Sequence, residues 1–216
     1  MRTFIYIDGF NLYFRLLKDR PALKWLNVKA LSVAVLPAQN QVSRVNYYTA
    51  HVSGRLDPDA PRRQKAYLGA LQSVPEIAIH YGNFLSTEKW AGIVHPPKTK
   101  PPVPFTPPFP DVIKVWKTEE KGSDVNLGCH LVRDAFQGSY DAAAVLSNDT
   151  DLVEPIRIVT QELGLPVGLI APVPKPAASL KAVVSFVRHI RPSDLHHAQF
   201  PDPIPGTRIR KPVSWV

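Results

Sequence analysis

The stretch TFIYIDGFNLY, residues 3–13, joins a short apolar run to the start of a helix. The run TFIYI is rich in β-branched and aromatic residues and is broken by Asp8-Gly9, which predicts a buried strand. In parallel sheets, binding sites lie at the carboxyl ends of the strands. We therefore expect Asp8 to stand at the edge of the sheet that carries function.

Apolar runs and helical patterns alternate through most of the remaining chain. Further strands are predicted at 42–52, 77–81, 142–146, 167–170 and 183–187, and helices at 28–35, 61–72, 123–137 and 152–163. This alternation implies a mostly parallel sheet with helices on both faces. The predicted fold class is therefore α/β, a three-layer α/β/α domain around a central mostly parallel sheet.

Two segments depart from the alternation. Eight of the 23 prolines fall between Pro96 and Pro110. Proline lacks the N–H that a central strand needs, so residues 86–118 are predicted to be an inserted stiff loop with a short edge strand at 112–116. A polyproline ligand for another protein is the alternative interpretation. Residues 191–216 are rich in proline, histidine and basic residues and predict a loosely packed tail, which leaves a domain at 1–190.

The composition bounds the class of protein. With Lys+Arg at 26 and Asp+Glu at 18, the formal net charge is +8 and the pI is about 9.6, which fits a polyanionic partner and a basic protein without one equally well. The lone cysteine, Cys129, excludes an intramolecular disulfide and a cysteine zinc site, and favours a reducing, cytoplasmic compartment. No apolar run approaches the roughly 20 residues of a membrane span, so no membrane partner is expected.

Four carboxylates follow predicted strands or begin predicted helices. Asp8 follows the first strand, Asp149 and Asp151 follow the strand at 142–146, and Asp124 lies in the first turn of a helix. Each one alone is explained by helix capping, because a carboxylate accepts hydrogen bonds from free backbone N–H groups. Together in one crevice they would repel one another unless a cation neutralised them. Hard oxygen ligands of this kind predict Mg²⁺ or Mn²⁺ rather than zinc.

A carboxylate site that holds such ions can bind a phosphodiester, polarise it and lower the pKa of a bound water. The sequence contains no P-loop, no GxGxxG and no HExxH spacing. His80 and His130 are more typical of core or surface positions than of metal ligands.

Three blocks, YIDGFNLY at 6–13, KGSDVNL at 121–127 and SNDTDL at 147–152, resemble the signature blocks of the NYN domain family. That family is similar to PIN-domain nucleases, and the resemblance, nearest to the LabA-like branch, spans roughly residues 2–190. It implies a PIN-like sheet and Mg²⁺- or Mn²⁺-dependent cleavage of RNA. The residues it assigns to catalysis and metal binding are Asp8, Asp124, Asp149 and Asp151. The residues it assigns to support of the site are Asn11, Ser147, Asn148 and Thr150.

Basic side chains near the site are candidates for holding substrate phosphates. Arg62, Arg63 and Lys65 begin a predicted helix, and Lys121 lies three residues before Asp124. A solvated helix face explains the first three equally well. The expected partner is RNA, single-stranded or structured, with DNA as a second candidate. A homodimer and a protein partner at the proline-rich segment are left open.

The leading hypothesis is a metal-dependent ribonuclease of the endonucleolytic kind. The alternative is a non-catalytic RNA-binding or regulatory protein that keeps the PIN-like fold. A phosphatase or nucleotidase is a third hypothesis, but it would favour a second carboxylate two residues after Asp8, where the chain has Phe10.

Overall fold

A seven-stranded sheet forms the centre of the protein, with strand order β4-β3-β2-β1-β5-β6-β7. The computed structural model describes residues 1–55, 57–100, 102–104 and 106–215. The strands are β1 (Arg2–Asp8), β2 (Gln41–Ala50), β3 (Ile77–Gly92), β4 (Val112–Lys121), β5 (Ala142–Leu146), β6 (Val167–Ala171) and β7 (Phe186–His189). All neighbouring strands pair in parallel except β3 and β4, which are antiparallel.

Helices cover both faces of this sheet, which confirms the predicted three-layer α/β/α fold. The α-helices are α1 (Gly9–Leu12), α2 (Val28–Val35), α3 (Ala60–Gln72), α4 (Ser123–Phe136), α5 (Val153–Arg157), α6 (Ala178–Val183) and α7 (Pro192–His197). Helix α1 continues as a π-helical turn at Tyr13–Leu17, and α5 continues as another at Ile158–Glu162. Short 3₁₀ helices lie at Pro21–Leu23, Thr150–Leu152 and Val213–Trp215.

The two faces of the sheet are packed by two separate hydrophobic cores. Successive residues of β1 pack into different cores. Ile5 and Ile7 belong to the core on one face of the sheet, and Tyr6 belongs to the core on the other face. All three are fully buried, which explains why the run TFIYI is apolar without polar alternation. A fully buried side chain of this size stabilises the fold by about 1.5–3 kcal/mol relative to exposure.

The order of the strands places a crevice at the end of β1. From β1 the chain builds β2, β3 and β4 on one side, then crosses to β5 on the other side. Ile7 of β1 pairs with Leu146 of β5, so the turns after both strands start at the same level of the sheet. Such a reversal of direction is where doubly wound sheets bind ligands.

The prediction that residues 86–118 form a loop is wrong at the two ends of the segment, where residues 86–92 belong to β3 and the predicted edge strand at 112–116 is part of the longer β4. Strands β3 and β4 form a long hairpin in which residues 83–92 pair with residues 112–121. Its outer part is held by the backbone ladder rather than by burial, since Trp90 is 70% exposed and Trp116 is 55% exposed. The prolines lie between the two strands, where no ladder hydrogen bond is required. Pro101 and Phe105 in that connection are outside the described residues.

The prediction of a loosely packed tail is also wrong. Leu195, Phe200, Ile204 and Trp215 are buried in the core on the α2 and α3 side of the sheet. The indole Nε1 of Trp25 donates a hydrogen bond to the carbonyl oxygen of Pro201 at 3.1 Å. The division of the chain at residue 190 stays a prediction.

Two smaller differences concern the ends of elements. The last strand lies at 186–189 rather than 183–187, because α6 extends to Val183. The residue that caps α4 is Gly122, with φ +98°, rather than Ser123. Ser123 instead donates its hydroxyl to Glu120 Oε2 at 2.6 Å. No helix within the described ranges is both long and apolar enough to pass through a membrane.

Candidate functional site

Asp8 lies at the centre of the crevice and is 3% exposed. Its Oδ1 accepts hydrogen bonds from the backbone N–H groups of Phe10 (3.0 Å) and Asn11 (2.9 Å). Its Oδ2 accepts from Asn11 Nδ2 (2.6 Å) and from Ser147 Oγ (2.9 Å). The carboxylate is therefore the N-cap of α1 and also ties the end of β1 to the end of β5.

The predicted supporting residues extend this network across the crevice. Ser147 Oγ accepts the backbone N–H of Asp149 at 3.1 Å, and Asn11 Oδ1 accepts the N–H of Asn148 at 3.3 Å. Asn148 Oδ1 in turn accepts the N–H of Ala177 at 2.9 Å. Thr150 begins the 3₁₀ helix that follows β5.

The remaining carboxylates surround Asp8 closely enough to act on one another. Asp149 caps the 3₁₀ helix through a 3.0 Å hydrogen bond from the N–H of Asp151 to its Oδ1. Partial burial, and then the negative charges of Asp8 and Asp149, with smaller effects of Glu120 and Asp151, raise the pKa of Asp124 to about 6. The structure thus brings the four predicted aspartates together, while their catalytic role stays a prediction.

We expect Asp124→Asn to stabilise the protein at neutral pH. The usual pKa of Asp124 is 3.8, and its folded value is about 6. Between these values the unfolded chain releases a proton that the folded protein keeps, so the free energy of unfolding falls as pH rises through this window and stays lower above it. Because Asp124 is only half buried, the gain on substitution should be about 1 kcal/mol at pH 7.5 and vanish below about pH 4.

Urea unfolding of the Asp124→Asn variant at a series of pH values measures this effect. Asp19→Asn is the control, since Asp19 is an exposed acid outside the crevice. Equal stability of wild type and Asp124→Asn at every pH would contradict the raised pKa.

A cavity of about 220 Å³ lies beside the same turn, on the face of the sheet where Tyr47 and Tyr67 pack. It begins at Gly9 and Phe10, directly after Asp8. The ring of Phe10 packs edge-on against Phe84 at 5.6 Å between centroids. The other aromatic and apolar residues that line the cavity are Tyr13, Phe14, Leu17, Tyr47, Val52, Ala60, Tyr67 and Trp215.

Tyr47 supplies a hydroxyl to this cavity. Burial, and then the negative charge of Asp8, raise the pKa of Tyr47 well above its usual value, so the hydroxyl remains protonated at neutral pH. It has no hydrogen-bond partner in the part of the chain that the structure describes. A Cβ atom at Gly9 would lie 2.6 Å from the carbonyl oxygen of Tyr48 and 2.8 Å from the Tyr47 hydroxyl. Glycine at position 9 is therefore what lets α1 close against β2 at this point.

Two cations complete the lining of the cavity. The Nζ of Lys24 lies 5.4 Å from the centroid of the Tyr13 ring, and no carboxylate in the described ranges forms an ion pair with it. Arg63 is mostly buried and is paired with Asp57. Aromatic walls with one unneutralised ammonium and one guanidinium suit a flat ring that carries an anionic group.

The four basic residues predicted to hold phosphates are dispersed by the fold. Of these four, only Arg63 lines the cavity beside Gly9 and Phe10, which is the aromatic cavity of this site. Arg62 and Lys65 are exposed on α3, and Lys121 lies on β4 with its Nζ 3.7 Å from Glu119. Their role in phosphate binding stays a prediction.

The aromatic residues of the cavity are the functional candidates that sequence reasoning missed. Tyr13 and Phe14 are 37% and 57% exposed although both are aromatic and lie in a helical segment. The run FNLYF after Asp8 could have signalled them, since a short helix does not bury so many rings against one sheet face.

Comparison with known proteins gives one curated relative along the whole chain. No family model matches. The chain is 28% identical over 240 residues to "6-hydroxy-3-succinoylpyridine 3-monooxygenase HspA" of Pseudomonas putida (strain DSM 28022 / S16), and the match covers 100% of this chain and 75% of that protein.

Among solved structures, the chain is similar to a protein of unknown function, VPA0982, from Vibrio parahaemolyticus RIMD 2210633. The TM-score is 0.53 at 15% identity, and the match covers 88% of this chain and 93% of that one. This likeness supports the fold alone. MurG of Acinetobacter baumannii, with a TM-score of 0.37, 14% identity and coverage of 94% and 44%, is too distant to bear on the fold or the function.

These findings correct the expected family and activity. Membership of the NYN domain family is wrong, because no family model matches and the curated relative is named a monooxygenase. The prediction of a ribonuclease is overturned by the same relative, and nothing in the comparisons supports the alternative of a non-catalytic RNA-binding protein. RNA or DNA as a partner, a homodimer and a protein partner at the proline-rich segment stay untested predictions.

The expected Mg²⁺ or Mn²⁺ centre is corrected as well. Within the described ranges, no three His, Cys, Asp or Glu side chains are arranged to hold one metal ion. Both oxygens of Asp8 already accept hydrogen bonds, and Asp149 Oδ1 caps a helix. Capping accounts for these carboxylates without a cation.

Proposed function

We propose that the protein is an oxygenase that hydroxylates a small aromatic or N-heteroaromatic ring bearing an anionic side chain. The observation that carries this proposal is the aromatic cavity with Lys24 and Arg63 at the carboxyl ends of β1 and β2. The relative named a monooxygenase of a succinoyl-substituted hydroxypyridine supports it, since it matches the chain along its whole length.

The cavity fits this class of substrate in size and polarity. Its volume of about 220 Å³ is below the range of about 300–1,000 Å³ typical of drug-sized ligands, so it suits a single substituted ring. The ring packs against the aromatic wall that Phe10 and Phe84 form together, and its anionic arm binds Lys24. The Tyr47 hydroxyl donates a hydrogen bond to an oxygen or nitrogen on the ring.

Asp124 and its neighbours supply a group that exchanges protons near neutral pH. The negative charge of Asp8 acts on both Asp124 and Tyr47, which links the carboxylates to the cavity. Asp124 itself begins α4, which packs on the other face of the sheet, and it does not line the aromatic cavity. No proton transfer with the ring is therefore assigned to Asp124, and its raised pKa reflects its burial and the charges of Asp8 and Asp149.

Monooxygenation also consumes electrons. One atom of O₂ enters the substrate and the other leaves as water, which requires two electrons and two protons from a donor. In doubly wound folds a dinucleotide places its pyrophosphate on the N–H groups that follow β1. Here Asp8 occupies the N–H groups of Phe10 and Asn11 and adds a negative charge. These residues do not fit a dinucleotide at that turn, and no step of the mechanism is assigned to one there.

Incubation of the purified protein with 6-hydroxy-3-succinoylpyridine, ¹⁸O₂ and an added two-electron reductant tests the proposal. We expect substrate to disappear and a product to carry one ¹⁸O atom by mass spectrometry. No ¹⁸O in any product from this compound or from other carboxylated hydroxypyridines, under ¹⁸O₂ and with several reductants, would overturn the proposal.

Lys24→Met should raise KM for the anionic substrate by about tenfold, the loss of one charge-assisted hydrogen bond. It should leave the unfolding free energy close to that of wild type, because Lys24 has no ion pair to lose among the described residues. Lys181→Met, an exposed lysine on α6, is the matched control and should leave KM unchanged. An equal effect of both substitutions would contradict the role of Lys24.

A further inference from the structure

A second and larger cavity, of about 450 Å³, opens at the same edge of the sheet. Its floor is formed by the carboxyl ends of β6 and β7, at Ala171 and His189. Its other wall comes from the segment that follows α1, at Arg15 and Arg20. It shares no lining residue with the aromatic cavity, so it is a separate site.

The charge of this second cavity is positive. The guanidinium groups of Arg15 and Arg20 and the imidazole of His189 line it, and none of its lining residues is a carboxylate. Arg63 and Arg157 form ion pairs with acids elsewhere. Arg15 and Arg20 form none with any described residue. The cavity therefore attracts an anion, which can accept charge-assisted hydrogen bonds from a guanidinium group.

The remaining walls of the second cavity are apolar. Val173, Ile190 and Leu195 line it beside Pro172 and Pro174. A ligand that fills the cavity therefore has an anionic end and an apolar end. Its volume falls within the range of about 300–1,000 Å³ typical of small-molecule sites, so the cavity has room for more than a free anion.

We infer that the second cavity binds a nucleoside diphosphate. The two phosphates accept hydrogen bonds from Arg15 and Arg20, whose planar guanidinium groups suit the paired oxygens of phosphate. His189 adds a nitrogen donor at the end of β7. The base packs on Val173 and Ile190. This assignment does not depend on the hydroxylation reaction.

Isothermal titration with ADP tests the assignment. We expect wild type to bind ADP, and the Arg15→Gln/Arg20→Gln double variant to bind it at least about tenfold more weakly. The matched control is Arg188→Gln, on the residue next to His189, whose guanidinium lies 5.5 Å from the Phe186 ring. That variant also loses one positive charge and should bind ADP as wild type does.

Titrations with pyrophosphate and with adenosine separate the two ends of the ligand. We expect pyrophosphate to bind more weakly than ADP with the same dependence on Arg15 and Arg20, and adenosine to bind more weakly still and without it. Absence of ADP binding, equal loss in Arg188→Gln, or dependence on the two arginines for single-stranded RNA but not for ADP would each overturn the inference.

Discussion

Asp8→Ala should lower the free energy of unfolding by about 3 kcal/mol. The substitution removes a buried acceptor of four hydrogen bonds. The N–H groups of Phe10 and Asn11 then lose their cap, and the hydroxyl of Ser147 loses its partner across the β1–β5 crevice. Chemical denaturation followed by circular dichroism measures the change.

The exposed Asp151 supplies the comparison for Asp8. Its side chain accepts no hydrogen bond within the described residues, so Asp151→Ala should change the unfolding free energy by no more than about 0.5 kcal/mol. The substitution Asp8→Asn should also cause a measurable loss of stability, because an amide Nδ2 cannot accept the hydrogen bonds that one carboxylate oxygen now receives. Wild-type stability of Asp8→Ala would show that the carboxylate is not a structural cap.

Trp25→Ala should destabilise the protein by about 3–5 kcal/mol. Trp25 is 1% exposed and contacts Tyr67, Phe200 and Trp215 through edge-on or tilted rings. It also donates a hydrogen bond to the C-terminal segment at Pro201. Its removal leaves a cavity under the segment 191–215 and frees that segment, so limited proteolysis should cleave there first.

Trp90→Ala removes a side chain of the same size from the outer part of the hairpin, where it is 70% exposed. We expect a change of no more than about 0.5 kcal/mol. Similar losses from both tryptophan variants would contradict the burial of Trp25 under the C-terminal segment.

Strands buried on both faces could be predicted from the sequence because nearly every residue in them is apolar. The strand at 142–146 is predicted with its observed bounds. The outer hairpin could not be predicted in this way, since residues 86–92 and 112–118 have no buried face and their pairing depends on backbone hydrogen bonds across a connection of about 20 residues. The packing of the C-terminal segment could not be predicted for another reason. Its buried residues Phe200, Ile204 and Trp215 are spaced without a helical or strand period.

The candidate site, too, could be predicted from the sequence only in part. Asp8 and Asp149 stand out in the sequence because each directly follows an apolar strand or its polar turn, and the parallel pairing of β1 with β5 brings them together. Their chemistry did not follow from that placement. A carboxylate that caps a helix and one that binds a cation occupy the same position in a sequence, and only the hydrogen bonds to Asp8 distinguish them. The cavity residues come from α1 and the π-helical turn after it, β2, α3, β3 and the C-terminal segment, which no sequence spacing relates.

The segment after Asp8 separates the two cavities. The π-helical turn in this segment lines the aromatic cavity with Tyr13, Phe14 and Leu17. The same turn lines the second cavity with Arg15 and Leu16. A ligand that shifts this turn from one side changes the wall presented to the other side. Thermodynamic reciprocity then requires that each ligand alter the affinity of the other by the same factor. Through this one helical turn, binding of a ligand in either cavity would change the affinity of the other cavity for its own ligand.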